Sequence, residues 1–235
     1  MRYSICYTPS AREPLAQAAA SWLGRSVYSG EAVEHPQVKG LGLQEIAFHT
    51  ALPRRNGFHG CLKAPFHLHP EVSEAMLLRE LMQFAGMIEP FSLPPLEIGR
   101  LGDHCGLMLA EPSPALDRLA GLVVQAFDRF RAPLTEDEID RMVPERLSAP
   151  QFANLYRWGD PHVLDEFRFS MPLTGPLPLH ERERFLSVLR GYFASCLEMS
   201  PVFSSLALFV EREAGAPLVV HSLHPMGRVS ARRIA

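Results

Sequence analysis

The segment FHGCLKAPF at residues 58–66 recurs in altered form as FSMPLTGPL at residues 169–177. Phe58 matches Phe169, Leu62 matches Leu173 and Pro65 matches Pro176. Three identities in nine positions decide little alone. The succession of elements downstream of each segment carries more weight. Each segment leads into a helical pattern and then into two short apolar runs split by a turn. The repeated order of strand, helix and hairpin predicts an internal duplication, with units over about 58–110 and 165–224. Two such units imply two pseudo-symmetric lobes with antiparallel sheets, flanked by outer helices around a central cleft. That is one bilobal α+β domain over residues 1–235.

The rest of the chain fits around these segments. Residues 2–8, RYSICYT, alternate as a strand. Ser10 and Glu13 form a capping-box pattern ahead of a helix whose face is Leu15, Ala18, Ala19 and Trp22. Residues 25–40 read as loop and 42–50 as a short helix. Pro70 and the spacing of Val72, Met76, Leu78, Leu81, Met82 and Ala85 predict a helix over 71–87. Runs 94–101 and 104–110 flank the Gly102-Asp103 turn as a hairpin. Ser113 and Pro114 open a helix with the stripe Leu116, Leu119, Val123, Ala126, Phe127 and Phe130. Short helices come next, over 136–143 and 149–158, then a strand at 164–174 and a helix at 180–197. Residues 205–212 and 218–224 close the chain as a second hairpin.

Successive strand side chains point to opposite faces. Phe58, Leu62, Ala64 and Phe66 share one face with Gly60, while His59, Cys61 and Lys63 share the other. In the second segment Phe167, Phe169, Met171 and Leu173 form the apolar face, opposite Arg168, Ser170, Pro172 and Thr174. The apolar faces need helices to cover them. The remaining faces then line the space between the sheets, a cationic cleft rich in small donors that suits a phosphate.

Composition narrows the function classes. The 23 basic and 26 acidic residues leave a net charge of −3, which makes long nucleic acid an unsuitable partner. Only Lys39 and Lys63 are lysines, and arginine supplies the other cations. No run reaches the ~18 apolar residues of a membrane span. Cys6, Cys61, Cys105 and Cys196 lack CxxC spacing, which argues against a zinc ribbon or disulfide scaffold and for a reducing cytoplasm. His67 and His69 share strand parity with His59, but prolines interrupt the run and no carboxylate or cysteine falls at ligand spacing, so no metal or other cofactor is expected.

RYSICYTP, GFHGCLKAPF, WGDPHVLDEFRFSMPLTGPLP and SLALFVE together resemble a family of phosphonate-metabolism-associated proteins. That family lies within the LigT-like 2H phosphoesterase superfamily, and the resemblance covers essentially the whole chain. It implies hydrolysis of a cyclic phosphodiester of a small sugar or nucleotide, without metal. Two His-x-Thr motifs face each other across the cleft in such proteins. One histidine is the general base, the other protonates the leaving oxygen, and the threonines hold the phosphate.

The chain departs from that pattern where the chemistry is done. His59 stands, but the first threonine position is Cys61. The second histidine position is Ser170 and its threonine position is Pro172. Asn56 replaces an expected tyrosine. Losing one acid–base group costs roughly 10²–10⁴-fold in rate. The expectation is therefore an impaired cyclic phosphodiesterase, or a non-catalytic phosphoester-binding or sensor protein. His59 is its catalytic candidate, and Cys61, Lys63, Arg168, Ser170 and Thr174 contact a small phosphorylated ligand. His162 is the first candidate for a substitute second histidine. Cys61 beside His59 is a weaker candidate for a nucleophile. His221 and His224 are expected on the surface or cleft rim, and Trp158 in the core.

Overall fold

A computed structural model describes residues 1–227 of the chain. Its largest sheet has four antiparallel strands in the order β2-β1-β8-β9: β1 is Arg2–Tyr7, β2 is Gly60–Phe66, β8 is Ser205–Glu211 and β9 is Val219–Pro225. A second sheet has the order β4-β5-β6, from Leu96–Leu101, His104–Leu109 and Ser170–Pro172. The two strands that carry the repeated segments, β2 and β6, are therefore both sheet edges. Edge position is what tolerates their prolines, Pro65 and Pro172, which cannot donate to a ladder.

The two units repeat in element order. After β2 come helix α4 (Glu74–Gly86), the two-residue strand β3 (Phe91–Ser92) and the β4–β5 hairpin. After β6 come helix α8 (Arg182–Phe193), the two-residue strand β7 (Val202–Phe203) and the β8–β9 hairpin. The short strands β3 and β7 pair with each other, Phe91 opposite Phe203. Each hairpin then crosses to the sheet that holds the other unit's repeated strand. The hairpins dock differently: β5, the second strand of its hairpin, pairs with β6, while β8, the first of its own, pairs with β1.

Helices cover the outer faces. Helix α1 (Pro14–Leu23) buries Leu15, Ala19, Trp22 and Leu23, and its Trp22 Nε1–H donates to the carbonyl of Leu173 at 2.9 Å, tying it to the second sheet. Helix α4 is capped by Ser73, whose hydroxyl accepts from the amide of Met76, so it starts three residues later than expected. Between the units lie α5 (Pro114–Phe127), α6 (Glu136–Asp140) and α7 (Ala149–Trp158), each opened by a side-chain cap, Ser113, Thr135 or Ser148. Buried apolar side chains of both sheets and their helices form one continuous core, with Ile5, Leu77, Leu107, Met171, Phe185 and Leu206 fully enclosed.

Two expectations are corrected. The region 164–174 is not one long strand. Leu164–Glu166 is a turn of 3-10 helix entered at a positive φ of Leu164, and only Ser170–Pro172 pairs with β5. Beyond it the amides of Leu173 and Thr174 both turn to the carbonyl of Cys105. Residues 42–56 form two helices, α2 (Leu43–His49) and α3 (Ala51–Asn56), where only the first was expected. The apolar signal is weak there: α3 is short, with Pro53 as its one buried residue.

A candidate site where the edge strands meet

Strand β2 and the entry to β6 touch through Gly60 and Phe169, whose ring packs against the glycine backbone. Neighbours of a packed pair point the other way along each strand. His59 and Ser170 are those neighbours, both half-buried. The backbone around His59 is held by Thr8, whose hydroxyl donates to the carbonyl of Phe58 at 2.8 Å. Its imidazole rests on Phe209, ring centroids 4.8 Å apart. Burial holds the imidazole pKa down at about 4, against a weaker upward pull from the Gly57 and Asn56 backbone, so the ring is neutral at pH 7. Its Nδ1 is sealed from solvent and makes no well-aligned hydrogen bond among the described residues; the Gly57 and Asn56 backbone acts on the ring only from poorer geometry.

Cys61 lies directly opposite Cys6 across the β1–β2 pair. Burial, reinforced by the neighbouring Cys61 thiol, pushes the Cys6 thiol well up. Ser4 joins them, its Oγ 3.1 Å from Cys6 Sγ and 3.8 Å from Cys61 Sγ, while its proton goes to the Lys63 carbonyl at 2.7 Å. The donor atoms of Cys6, His59 and Cys61 all lie within 4.8 Å of one another, a set that can hold a metal ion. Sequence reading missed Cys6 and Ser4. The signal was present, because Ser4 and Cys6 share one face of RYSICY, but the pairing of β1 with β2 was not.

The remaining predicted residues diverge. Lys63 is not a free cleft cation: it is buried, with its amine 3.5 Å from Asp128 and over the ring of Phe66. Burial lowers its pKa, opposed by Asp128, which also accepts from Arg131 at 3.0 Å. Irregular register between Tyr3 and Cys6 breaks the simple alternation and lets both Leu62 and Lys63 be buried. Thr174 is fully buried, with its Oγ1 accepting from the amide of Cys105 at 2.9 Å, and does not line the cleft. Arg168 is exposed and turns back to the carbonyls of Asp165 and Phe167.

The other histidines do not join His59. His67 Nδ1 lies 3.0 Å from the Met1 carbonyl, and His69 Nδ1 accepts from the Glu71 amide. His162 is exposed beside Asp160. His224, expected at the surface or cleft rim, is buried against the Ser222 hydroxyl at 2.8 Å, and Trp158 is only partly buried, with the Arg157 guanidinium over its ring. A cavity of about 270 Å³ opens beside Phe58, lined by Thr8, Arg25, Val27 and Tyr28. Arg25 donates from Nε and Nη2 to the carbonyls of Arg54, Arg55 and Leu218, while its Nη1 is buried without a partner among the described residues.

Fold and site together define an α+β protein whose two larger antiparallel sheets meet along the edges formed by β2 and β6. The chain belongs to the family described as "Protein of unknown function (DUF1045)", whose model matches residues 61–219. It is 34% identical over 222 residues to a protein of Janthinobacterium sp. (strain Marseille) named ribose 1,5-bisphosphate phosphokinase PhnN, covering 93% of this chain and 49% of that one. It is 31% identical over 218 residues to a protein of the same name from Laribacter hongkongensis (strain HLHK9), covering 92% and 50%. The chain thus spans about half the length of these relatives. No helix among the described residues is long and apolar enough to cross a membrane.

Proposed function

We propose that this chain is a LigT-like 2H phosphoesterase-type protein of cytoplasmic phosphonate metabolism. Its cleft binds a phosphorylated ribose ester, and its two-histidine hydrolysis of cyclic phosphodiesters is lost or strongly impaired. One observation carries the reading: His59 stands at the β2 edge, while the matching β6 edge offers Ser170 and Pro172. A serine hydroxyl keeps its proton near neutral pH and proline has no side-chain donor. A neutral, weakly basic His59 can donate one hydrogen bond to a phosphoryl oxygen, but no second side chain of the motif moves a proton.

The name of the two relatives supports a phosphorylated ribose as the ligand class. The kinase reaction in that name is not assigned to these residues. Lys39 follows Val38 and Lys63 follows Leu62, so no Gly-Lys pair of a phosphate-binding P-loop is present in the sequence. The test is to titrate the protein with ribose 1,5-bisphosphate by calorimetry and to assay it on 2′,3′-cyclic nucleotides and ribosyl 1,2-cyclic phosphate. Binding weakened by His59→Ala, with turnover absent or slow, is the expected result. Robust turnover abolished by His59→Ala would overturn the impairment, and no binding of any of these compounds would overturn the site.

A further inference from the structure

We propose that Cys6, His59 and Cys61 form a binding site for one soft divalent ion of the zinc type. The inference goes beyond the phosphoester reading and does not depend on it, although the two share His59. Two sulfurs and an imidazole nitrogen within 4.8 Å of one another are the donor set that Zn²⁺ favours. With metal–sulfur bonds of about 2.3 Å and metal–nitrogen bonds of about 2.0 Å, tetrahedral ligands stand roughly 3.5–3.8 Å apart, so small side-chain rotations close the site.

The sheet itself assembles this set. Cys6 and Cys61 are opposite residues of an antiparallel pair, which places both thiols on the same side. His59 enters from the residue before β2. Its sealed Nδ1 lacks a partner among the described residues, and a buried polar atom left so is destabilising. An ion bound through Nδ1 would give that atom its missing partner.

Charge also balances. On binding, the thiols of Cys6 and Cys61 lose their protons to solvent, two thiolates neutralise the doubly charged ion, and the imidazole binds uncharged. No buried net charge results, so no carboxylate is needed. Ser4 Oγ lies 3.1 Å and 3.8 Å from the two sulfurs; it accepts from the thiols while they are protonated, and it can turn its own proton from the Lys63 carbonyl to one sulfur once they are thiolates. Cys61 and His59 are only partly buried, which gives the ion a route in and leaves the fourth position for water or a ligand oxygen.

The test uses reduced, chelator-treated protein titrated with Co²⁺ and then Zn²⁺. One Co²⁺ per chain, with a thiolate-to-cobalt charge-transfer band that Zn²⁺ displaces, is expected. Cys61→Ser and His59→Gln should each weaken binding at least tenfold, and Cys196→Ser should leave it unchanged. Because Cys6→Ser alters a fully enclosed position, alkylation of Cys61 in the unaltered chain serves as a second measure: Zn²⁺ should slow it at least tenfold. Reduced protein that binds no Co²⁺, or a band that survives Cys61→Ser, overturns the proposal. Phosphoester binding is not read in either measurement, so its failure remains separate.

Discussion

The ring of Phe169 occupies the space that a side chain on Gly60 would need. A β-carbon at Gly60 would stand 2.2 Å from Cε2 of that ring, well inside contact distance. This explains why glycine separates His59 from Cys61, since the two sheet edges close on each other there. Gly60→Ala should destabilise the chain by about 1–3 kcal/mol, the usual cost of overpacking. Denaturant midpoints check this, and adding Phe169→Leu should recover part of the loss.

Lys63 and Asp128 form a partly buried ion pair. The amine is almost wholly enclosed, whereas its partner still reaches solvent. Asp128→Asn should cost about 3 kcal/mol, the low end for breaking a buried pair, because it strands Lys63. Lys63→Met, which removes the buried charge along with the pair, should cost less. Equilibrium unfolding of the two variants gives the order.

His59 predicts an acid-side loss of stability in metal-free protein. Its folded pKa of about 4 lies below the ordinary 6.5, so the unfolded chain takes up the proton first. The stabilisation is complete above pH 6.5 and declines as pH falls towards 4, levelling below that. The loss should be roughly 2–3 kcal/mol, less than the full shift would give because part of the ring remains accessible. His59→Gln should flatten that segment of the stability–pH curve.

Thr174 should matter for folding and not for ligands. Thr174→Val leaves the Cys105 amide without its acceptor and should cost about 1–3 kcal/mol. Calorimetry should show unchanged affinity for ribose 1,5-bisphosphate.

The proposed function predicts that a His-x-Thr sequence at residues 170–172 raises turnover. Ser170→His combined with Pro172→Thr should increase the rate on a cyclic phosphodiester by about 10²-fold or more. Adding His59→Ala to that variant should remove the gain.

Local signals determined much of this protein from its sequence. The caps Ser113 and Thr135, the Gly102-Asp103 turn and the apolar stripes of α4, α5 and α8 act within a few residues, so helices and hairpins could be read directly. The alternation of Phe167, Phe169, Met171 and Leu173 marked a buried face even where the strand proved short. Tertiary structure decided what depended on residues distant in the chain. Register irregularities in β1–β2 moved Lys63 to Asp128, and a single amide 69 residues away claimed Thr174. Cys6 came beside Cys61 and His59 only because β1 pairs with β2. A strand's own sequence states which side chains share a face, but not which strand will lie beside it. That choice belongs to long-range pairing, and it is what brought the imidazole of His59 together with the sulfurs of Cys6 and Cys61.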